Sequence, residues 1–178
     1  MSLGNLFREL GHTDKHTTHS YDWFYEPLLR HKKESAKQVL EIGVSDFGGG
    51  DLTAFGLYFA NAQVHGIDIK PTGNSHGKNV TVHVGNGYDP EFLKQFDGIE
   101  WDVVLDDGPH TKESQVFALN YFHTKLAPEG ILLVEDVVES NIPWIIHHFK
   151  GDKNKLSVIN RKHTSNTPAN DEFILLYM

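Results

Sequence analysis

Residues 38–69 read QVLEIGVSDFGGGDLTAFGLYFANAQVHGIDI, and this stretch decides the fold. An apolar run, QVLEIGV, enters the glycine-rich segment SDFGGGD, and the LTAFGLYFA that follows repeats its apolar residues at a helical spacing. A second apolar run, AQVHGIDI, ends the stretch with Asp68 as its last polar residue. The order is strand, tight turn, helix and strand, which is the unit from which parallel sheets covered by helices are built.

The rest of the sequence continues this alternation. Five further strands are predicted: NVTVHVG, WDVVLDD, GILLVED, KLSVIN and DEFILLYM. Four further helices are predicted: a short one around Pro27, DPEFLKQF, ESQVFALNYFHTKL and IPWIIHHF. Because no helix separates the last two strands, they are expected to pair in antiparallel fashion. We therefore predict an α/β fold with a Rossmann-like, mostly parallel seven-stranded sheet, an antiparallel edge hairpin and helices on both faces.

The composition favours one soluble domain. The chain has 178 residues, enough for a substantial core, and we divide it into an N-terminal segment, residues 1–35, and a core, residues 36–178. A net charge of -8 argues against a nucleic-acid partner, because a phosphate backbone needs a basic surface. There is no cysteine, no signal-peptide pattern and no apolar run near the roughly 20 residues of a membrane span. A cytoplasmic protein without a membrane partner is expected, and a homo-oligomer is left open.

Pairs of acids end two of the predicted strands. Asp106 and Asp107 follow one apolar run, and Glu135 and Asp136 follow another. Because the carboxyl ends of parallel strands meet at one edge of a sheet, Asp107, Glu135 and Asp136 are predicted to converge. Such a cluster needs a cation, and oxygen ligands suit Mg²⁺, Mn²⁺ or Ca²⁺. Consecutive strand residues point to opposite faces, so both Glu135 and Asp136 can bind it only if the strand ends or twists there. His110 is predicted to face the same ion.

The first strand and its turn favour a nucleotide-like cofactor. A glycine-rich turn between strand and helix lets a ligand approach the backbone closely. The nicotinamide fingerprint G-x-G-x-x-G fails here, because Ser45 stands at its second glycine after Gly43. Glu41 lies on the strand itself. Asp68 ends the next strand, where its carboxylate is well placed to accept hydrogen bonds from two ribose hydroxyls.

The order E-x-G, glycine-rich turn, strand and G-I-D resembles the cofactor half of the class I S-adenosylmethionine-dependent methyltransferases. This resemblance implies that Gly43 and Ser45 lie against the methionine part of the cofactor and that Asp68 binds its ribose. Asn86, in VGNGYD, stands where the family often has an acid, and its side chain is expected to face the adenine amino group. Glu41 is included with these residues as a cofactor-binding candidate.

DDGPH and VEDV, with the upstream HTDKHTTHSYDWFYEPLL, resemble the macrocin and mycinamicin sugar O-methyltransferases over about residues 11–137. The resemblance implies that Asp107, Glu135 and Asp136 bind the metal and that His110 is the general base. Asp107 is also expected to contact the cofactor. Pro109 stands where that family usually has serine.

The N-terminal segment contains three histidines, His12, His16 and His19, at spacings that a zinc site could use. The glycine and threonines around them disfavour the helix that would bring them together. We instead interpret the segment as a lid over the active site. In that interpretation Lys15 contacts the cofactor, and His19 and Tyr21 contact the acceptor.

The function expected from these features is S-adenosylmethionine- and Mg²⁺- (or Mn²⁺-) dependent O-methylation of a sugar hydroxyl, on a deoxyhexose such as rhamnose or on a glycan. A divalent ion acidifies the bound hydroxyl, and His110, with an ordinary pKa of about 6.5, can take the proton of that hydroxyl. Two alternatives stay open: a metal-dependent methyltransferase for catechols or other small diols, and a nucleotide-binding module without catalysis. A nicotinamide enzyme is the least favoured candidate.

Overall fold

A computed structural model describes residues 1–10, 13–17, 20–44, 48–73, 76–162 and 173–178, except for the side chain of Asp22. These residues contain a seven-stranded sheet with the order β3-β2-β1-β4-β5-β7-β6. Its strands are β1 (Gln38–Ile42), β2 (Gln63–Asp68), β3 (Val80–Val84), β4 (Trp101–Asp106), β5 (Leu126–Val137), β6 (Leu156–Asn160) and β7 (Phe173–Tyr177). The first five strands pair in parallel, and β7 pairs antiparallel with both β5 and β6. The predicted Rossmann-like fold with its antiparallel edge is confirmed.

Six α-helices surround the sheet in the described part of the chain: α1 (Leu3–Leu10), α2 (Asp22–Leu29), α3 (Gly50–Tyr58), α4 (Pro90–Leu93), α5 (Lys112–Phe122) and α6 (Ile142–His148). Helix α1 was not predicted, although its buried Leu3, Leu6 and Phe7 show the i, i+3, i+4 spacing of an amphipathic helix. Helix α4 begins as predicted, with the Asp89 side chain accepting from the Glu91 amide. Within the described ranges, no helix is long and apolar enough to cross a membrane.

Strand β5 is longer than predicted. It begins at Leu126 and runs through Pro128, whereas the sequence pattern places its start at Gly130. The pairing of β4 with β5 shifts register between Trp101 and Val103, opposite this added part of the strand. An irregular ladder tolerates a proline, because a residue outside the regular pairing does not need to donate a backbone hydrogen bond.

The strand side chains alternate between two apolar layers, one on each face of the sheet. The first layer lies beneath α1, α2 and α3 and includes Val39, Val103 and Leu133. The second layer lies beneath α5 and α6 and includes Leu40 and Val104, with the neighbouring strand residues on β5 and β7. This alternation decides which of two consecutive acids at the end of a strand reaches which face.

Candidate active site

A bulge at the end of β5 places two consecutive acids on the same face. The pairing of β5 with β7 shifts register between Val134 and Val137, and both valines pack in the second apolar layer. Between them Asp136 has a φ of +50°, a left-handed conformation that is uncommon for residues other than glycine. Glu135 and Asp136 are both buried, and both accept hydrogen bonds from tyrosines of α2. Strand β5 therefore has the irregularity that Glu135 and Asp136 need in order to reach one shared ion.

The two acids that end β4 face different ways. Asp106 accepts a hydrogen bond from the hydroxyl of Tyr88. Asp107, one residue later, reaches Lys15 and His110 instead: its Oδ2 lies 2.8 Å from Lys15 Nζ, and its Oδ1 lies 3.1 Å from His110 Nε2. Only Asp107 therefore joins the acids of β5.

Lys15 is the cation at the centre of this acid cluster. Its ammonium group donates to Glu135 Oε2 at 2.8 Å as well as to Asp107, and Glu41 and Asp51 lie 3.8 and 3.6 Å away. Its side chain is 1% exposed. Although burial lowers the pKa of Lys15, the surrounding carboxylates raise it well above its usual value, so the group is charged. The ammonium offsets part of the repulsion among the acids.

Two stacked tyrosines also contact the acids of β5. The Tyr21 hydroxyl donates to Asp136 and the Tyr25 hydroxyl to Glu135, while their rings stack with centroids 5.5 Å apart. The guanidinium of buried Arg161 lies 3.6 Å from the centre of the Tyr21 ring. Tyr25 and Arg161 were not predicted as site residues from the sequence. The i, i+4 spacing of the tyrosines was an available signal for the first, whereas nothing in the sequence connects Arg161 with this site.

His110 stands beside the acids in a strained backbone conformation, with a φ of +54°. Its Nε2 lies 3.1 Å from Asp107 and 3.8 Å from Asp136 Oδ2. Burial lowers the pKa of His110, but the hydrogen bond to Asp107 and the charges of Asp107, Asp136 and Glu135 raise it, to about 9. In this arrangement the imidazole is held protonated by carboxylates that a divalent cation would neutralise.

The donor set fits a hard divalent cation. Asp107, His110 and Asp136 each offer one ligand atom within 4.8 Å of the others. Carboxylate oxygens are what Mg²⁺ and Mn²⁺ prefer, and the ammonium of Lys15 shows that a cation is stable against Asp107 and Glu135. Glu135 is the least available of the predicted ligands, because Lys15 and Tyr25 occupy one of its oxygens each.

A cleft of about 280 Å³ opens beside this cluster at the carboxyl ends of the first strands. Gly43, Asp68, Asn86 and Asp107 of the predicted cofactor set line it, together with Ile42, Ile67, Ile69, Lys70, Gly85, Gly87, Tyr88, Gly108 and Pro109. Asp68 accepts from the Val44 amide at 3.0 Å and from the Lys70 amide at 2.9 Å, which fixes its carboxylate at the rim. The volume is close to the lower end for small-molecule sites. Four of the predicted cofactor residues thus share one cavity.

The other predicted residues lie elsewhere. Glu41 is fully buried and does not line the cleft, and neither of its oxygens has a hydrogen-bond partner among the described residues. Lys15 and Tyr21 are buried in the acid cluster, so their contacts with cofactor and acceptor stay predictions. Ser45 and His19 fall outside the described residues, as does His12 of the zinc alternative.

The chain is similar in sequence to known methyltransferases. A family model described as a methyltransferase domain matches residues 2–137. The chain is 33% identical over 138 residues to 8-demethyl-8-alpha-L-rhamnosyl tetracenomycin-C 2'-O-methyltransferase of Streptomyces olivaceus, covering 74% of this chain and 36% of that protein. It is 27% identical over 128 residues to demethylmacrocin O-methyltransferase of Streptomyces fradiae, covering 66% of this chain and 32% of that protein.

A solved structure of the MycE methyltransferase from the mycinamycin biosynthetic pathway, in complex with Mg and SAH, has a similar fold. It superimposes with a TM-score of 0.70 at 26% identity, covering 82% of this chain and 42% of the other. The chain thus spans about a third of the length of these two curated relatives. The part that the family model matches, residues 2–137, contains strands β1 to β5, the residues that line the cleft and the acids Asp107, Glu135 and Asp136.

Proposed function

The chain belongs to the methyltransferase-domain family, and from that premise we propose that it transfers a methyl group from S-adenosylmethionine to a sugar hydroxyl with the help of Mg²⁺ or Mn²⁺. One observation carries the proposal: Asp107, Asp136 and His110 converge beside a cleft that Asp68 also lines. The rhamnosyl and macrocin substrates in the names of the relatives support a deoxyhexose as the acceptor class.

The cleft is proposed to hold the cofactor. Asp68 is fixed at its rim with a carboxylate suited to two ribose hydroxyls, and Asn86 also lines the cavity, so that its amide can face an adenine. Ile69, which is 70% exposed and lines the cleft, offers an apolar surface for that ring and was not singled out from the sequence. Gly43 lets the cofactor approach the end of β1 closely.

Asp107, Glu135 and Asp136 are proposed to hold the metal. When bound, a divalent cation lowers the pKa of the acceptor hydroxyls that it contacts. The Tyr21 and Tyr25 hydroxyls keep the two carboxylates of β5 oriented, since each donates to one of them. Through these contacts both tyrosines act as positioning residues for the metal ligands, and the predicted contact of Tyr21 with the acceptor is kept as a proposal.

His110 is proposed to take the proton of the acceptor hydroxyl. Its Nε2 faces the rim between Asp107 and Asp136, within reach of a hydroxyl placed against these acids. The acceptor oxygen loses its proton to this nitrogen and forms its new bond to the methyl carbon, and the carbon–sulfur bond of the sulfonium breaks. Neutralisation of Asp107 and Asp136 would remove the charges that keep the imidazole protonated, so the ring would become a base near neutral pH.

Calorimetric titration with S-adenosylmethionine tests the proposal, with NAD as the control ligand and with Mg²⁺ either present or chelated. We expect micromolar binding of S-adenosylmethionine and none of NAD. Protein that binds S-adenosylmethionine should then methylate rhamnose-bearing acceptors when Mg²⁺ is present. It should not methylate them when Mg²⁺ is chelated. Failure to bind the sulfonium cofactor under both conditions would remove the methyltransferase assignment.

Gly43→Ala is expected to weaken S-adenosylmethionine binding by more than about ten-fold, because a side chain here would disrupt the cleft. Gly43 has a φ of +89°, and an added Cβ would lie 1.9 Å from the carbonyl oxygen of Asp107. Gly98→Ala is the matched control: Gly98 has a φ of +88° but no atom within 4 Å of an added Cβ. The dissociation constants of both variants are measured by calorimetry. Equal effects of the two substitutions would show that backbone strain, and not the close approach, explains the result.

The free energy of unfolding of the chelated protein is expected to fall as the pH rises from 6.5 to 9. The pKa of His110 is raised to about 9, and burial raises the pKa of Glu135 to about 8 despite the charge of Lys15. Both groups therefore bind protons more tightly in the folded than in the unfolded chain, so stability is present at the lower pH and lost as they deprotonate.

Urea unfolding at several pH values, with chelator and with saturating Mg²⁺, measures this dependence. Bound Mg²⁺ should flatten it, because the cation favours the deprotonated carboxylates and opposes the charge on the imidazole. A chelated protein whose stability stays constant or rises across this range would contradict the arrangement of His110 and Glu135.

A further inference from the structure

The ammonium of Lys15 lies between Asp107 and Glu135, two of the residues that would hold the proposed metal. Its Nζ lies 2.8 Å from one oxygen of each carboxylate. Such a distance is typical of a charge-assisted hydrogen bond. Lys15, a cation of the chain itself, therefore already binds Asp107 Oδ2 and Glu135 Oε2.

Lys15 comes from a short connecting segment between α1 and α2 and not from the sheet. In the described part of this segment, residues 13–17, the Lys15 amide donates to Thr13 Oγ1 at 3.1 Å, the Lys15 carbonyl accepts from the Tyr21 amide at 2.6 Å, and Thr13 shares a hydrogen bond with Asp51. The side chain itself is unbranched with four rotatable bonds. The acids, in contrast, are anchored in β4 and β5, so the amine can leave without any change in the sheet.

An ammonium and a divalent cation cannot share these oxygens. Two cations within about 3 Å of each other repel strongly even at the effective dielectric constant of a protein site. The other oxygen of Glu135 already accepts a hydrogen bond from Tyr25, so the metal would compete with Lys15 for Oε2. Binding of a metal by the full set of Asp107, Glu135 and Asp136 thus requires Lys15 to move.

We propose that Lys15 is a tethered cation that fills the metal position between Asp107 and Glu135 in the metal-free protein and is expelled when a divalent cation binds. The proposal rests on the metal site of the proposed function. It couples metal loading to the position of residues 13–17, and it explains how several carboxylates stay close together before the metal arrives. Because the Lys15 ammonium competes with the metal, the affinity of the site for the metal is lower than it would be without Lys15.

Titration calorimetry with Mn²⁺ and no cofactor or acceptor tests the competition. Lys15→Met keeps an unbranched side chain of similar length without the charge, and we expect it to bind Mn²⁺ at least about ten-fold more tightly than the unaltered protein. Lys33→Met is the control, because the Lys33 ammonium contacts the Met1 carbonyl and the Tyr58 ring and not the acids. Unchanged or weaker binding by Lys15→Met would overturn the proposal, while leaving the metal site intact. Absence of Mn²⁺ binding by every protein would overturn the proposed metal-dependent function itself.

Hydrogen–deuterium exchange of the unaltered protein provides a second test that needs no variant. Saturating Mg²⁺ is expected to speed amide exchange in residues 13–17, because expulsion of the ammonium removes the ion pairs that hold the segment down. Exchange in β4 and β5 should stay the same or slow. If the amides of residues 13–17 exchange at the same rate or more slowly with Mg²⁺, Lys15 is not displaced and the proposal fails.

Discussion

Replacement of His110 by alanine is expected to lower the turnover number for methyl transfer by about 10²- to 10⁴-fold, the usual contribution of a positioned general base. The imidazole Nε2 faces the rim of the acid cluster, 3.1 Å from Asp107 and 3.8 Å from Asp136. No other imidazole lies beside Asp107 and Asp136 in the described part of the chain. Because His110 does not line the cleft, the dissociation constant for S-adenosylmethionine should stay unchanged. Single-turnover kinetics with a sugar acceptor separate the two quantities.

His31→Ala serves as the control for the loss of a histidine, since His31 is exposed on a turn after α2. Its turnover should equal that of the unaltered protein. The assignment of His110 as the base would be wrong if His110→Ala retained full turnover at saturating acceptor and Mg²⁺. A loss that was regained at high pH would indicate that His110 assists the reaction electrostatically and does not accept the proton.

The fold could be predicted almost completely from the sequence because its signals are local. Apolar runs of strand length alternate with helical periodicity, and the sequence between KLSVIN and DEFILLYM has no helical pattern, which predicts the antiparallel pairing of β6 with β7. The fold prediction was wrong in two places, where the sequence pattern was weak. The amphipathic spacing of α1 is only eight residues long, and Pro128 hides the true start of β5.

The candidate site could be predicted only in part, because its most specific contacts join distant segments. Asp107 and Asp136 could be brought together from strand order, whereas His110 was placed beside them by the turn that follows Asp107 and by the family resemblance. The contact of Lys15 with Glu135 spans 120 positions, and no periodicity encodes it. Glu41 matches a cofactor motif, but strand alternation turns its side chain towards Lys15, and it does not line the cleft, so its contact with the cofactor stays a prediction.

Asp107→Asn is expected to weaken Mn²⁺ binding by about 100-fold or more and to reduce turnover accordingly, because it removes a charged ligand and not only a supporting contact. Asn keeps the shape of the side chain, so the loss reports on charge. The substitution should also remove one of the two 2.8 Å ion pairs of Lys15, the one with Asp107 Oδ2, and leave the one with Glu135. Calorimetry with Mn²⁺ measures the affinity, and a methyl-transfer assay measures turnover.

Asp106→Asn is the matched control, since the same substitution is made one residue earlier on the same strand. Asp106 accepts from Tyr88 and takes no part in the group formed by Asp107, His110 and Asp136. Burial raises its pKa to about 7 despite the hydrogen bond from Tyr88, so a neutral amide is a mild change there. We therefore expect Mn²⁺ affinity to survive in Asp106→Asn and to collapse in Asp107→Asn. Equal loss in both variants would mean that the alternation of side chains at the end of β4 does not separate the two acids, and the metal site would have to be placed elsewhere.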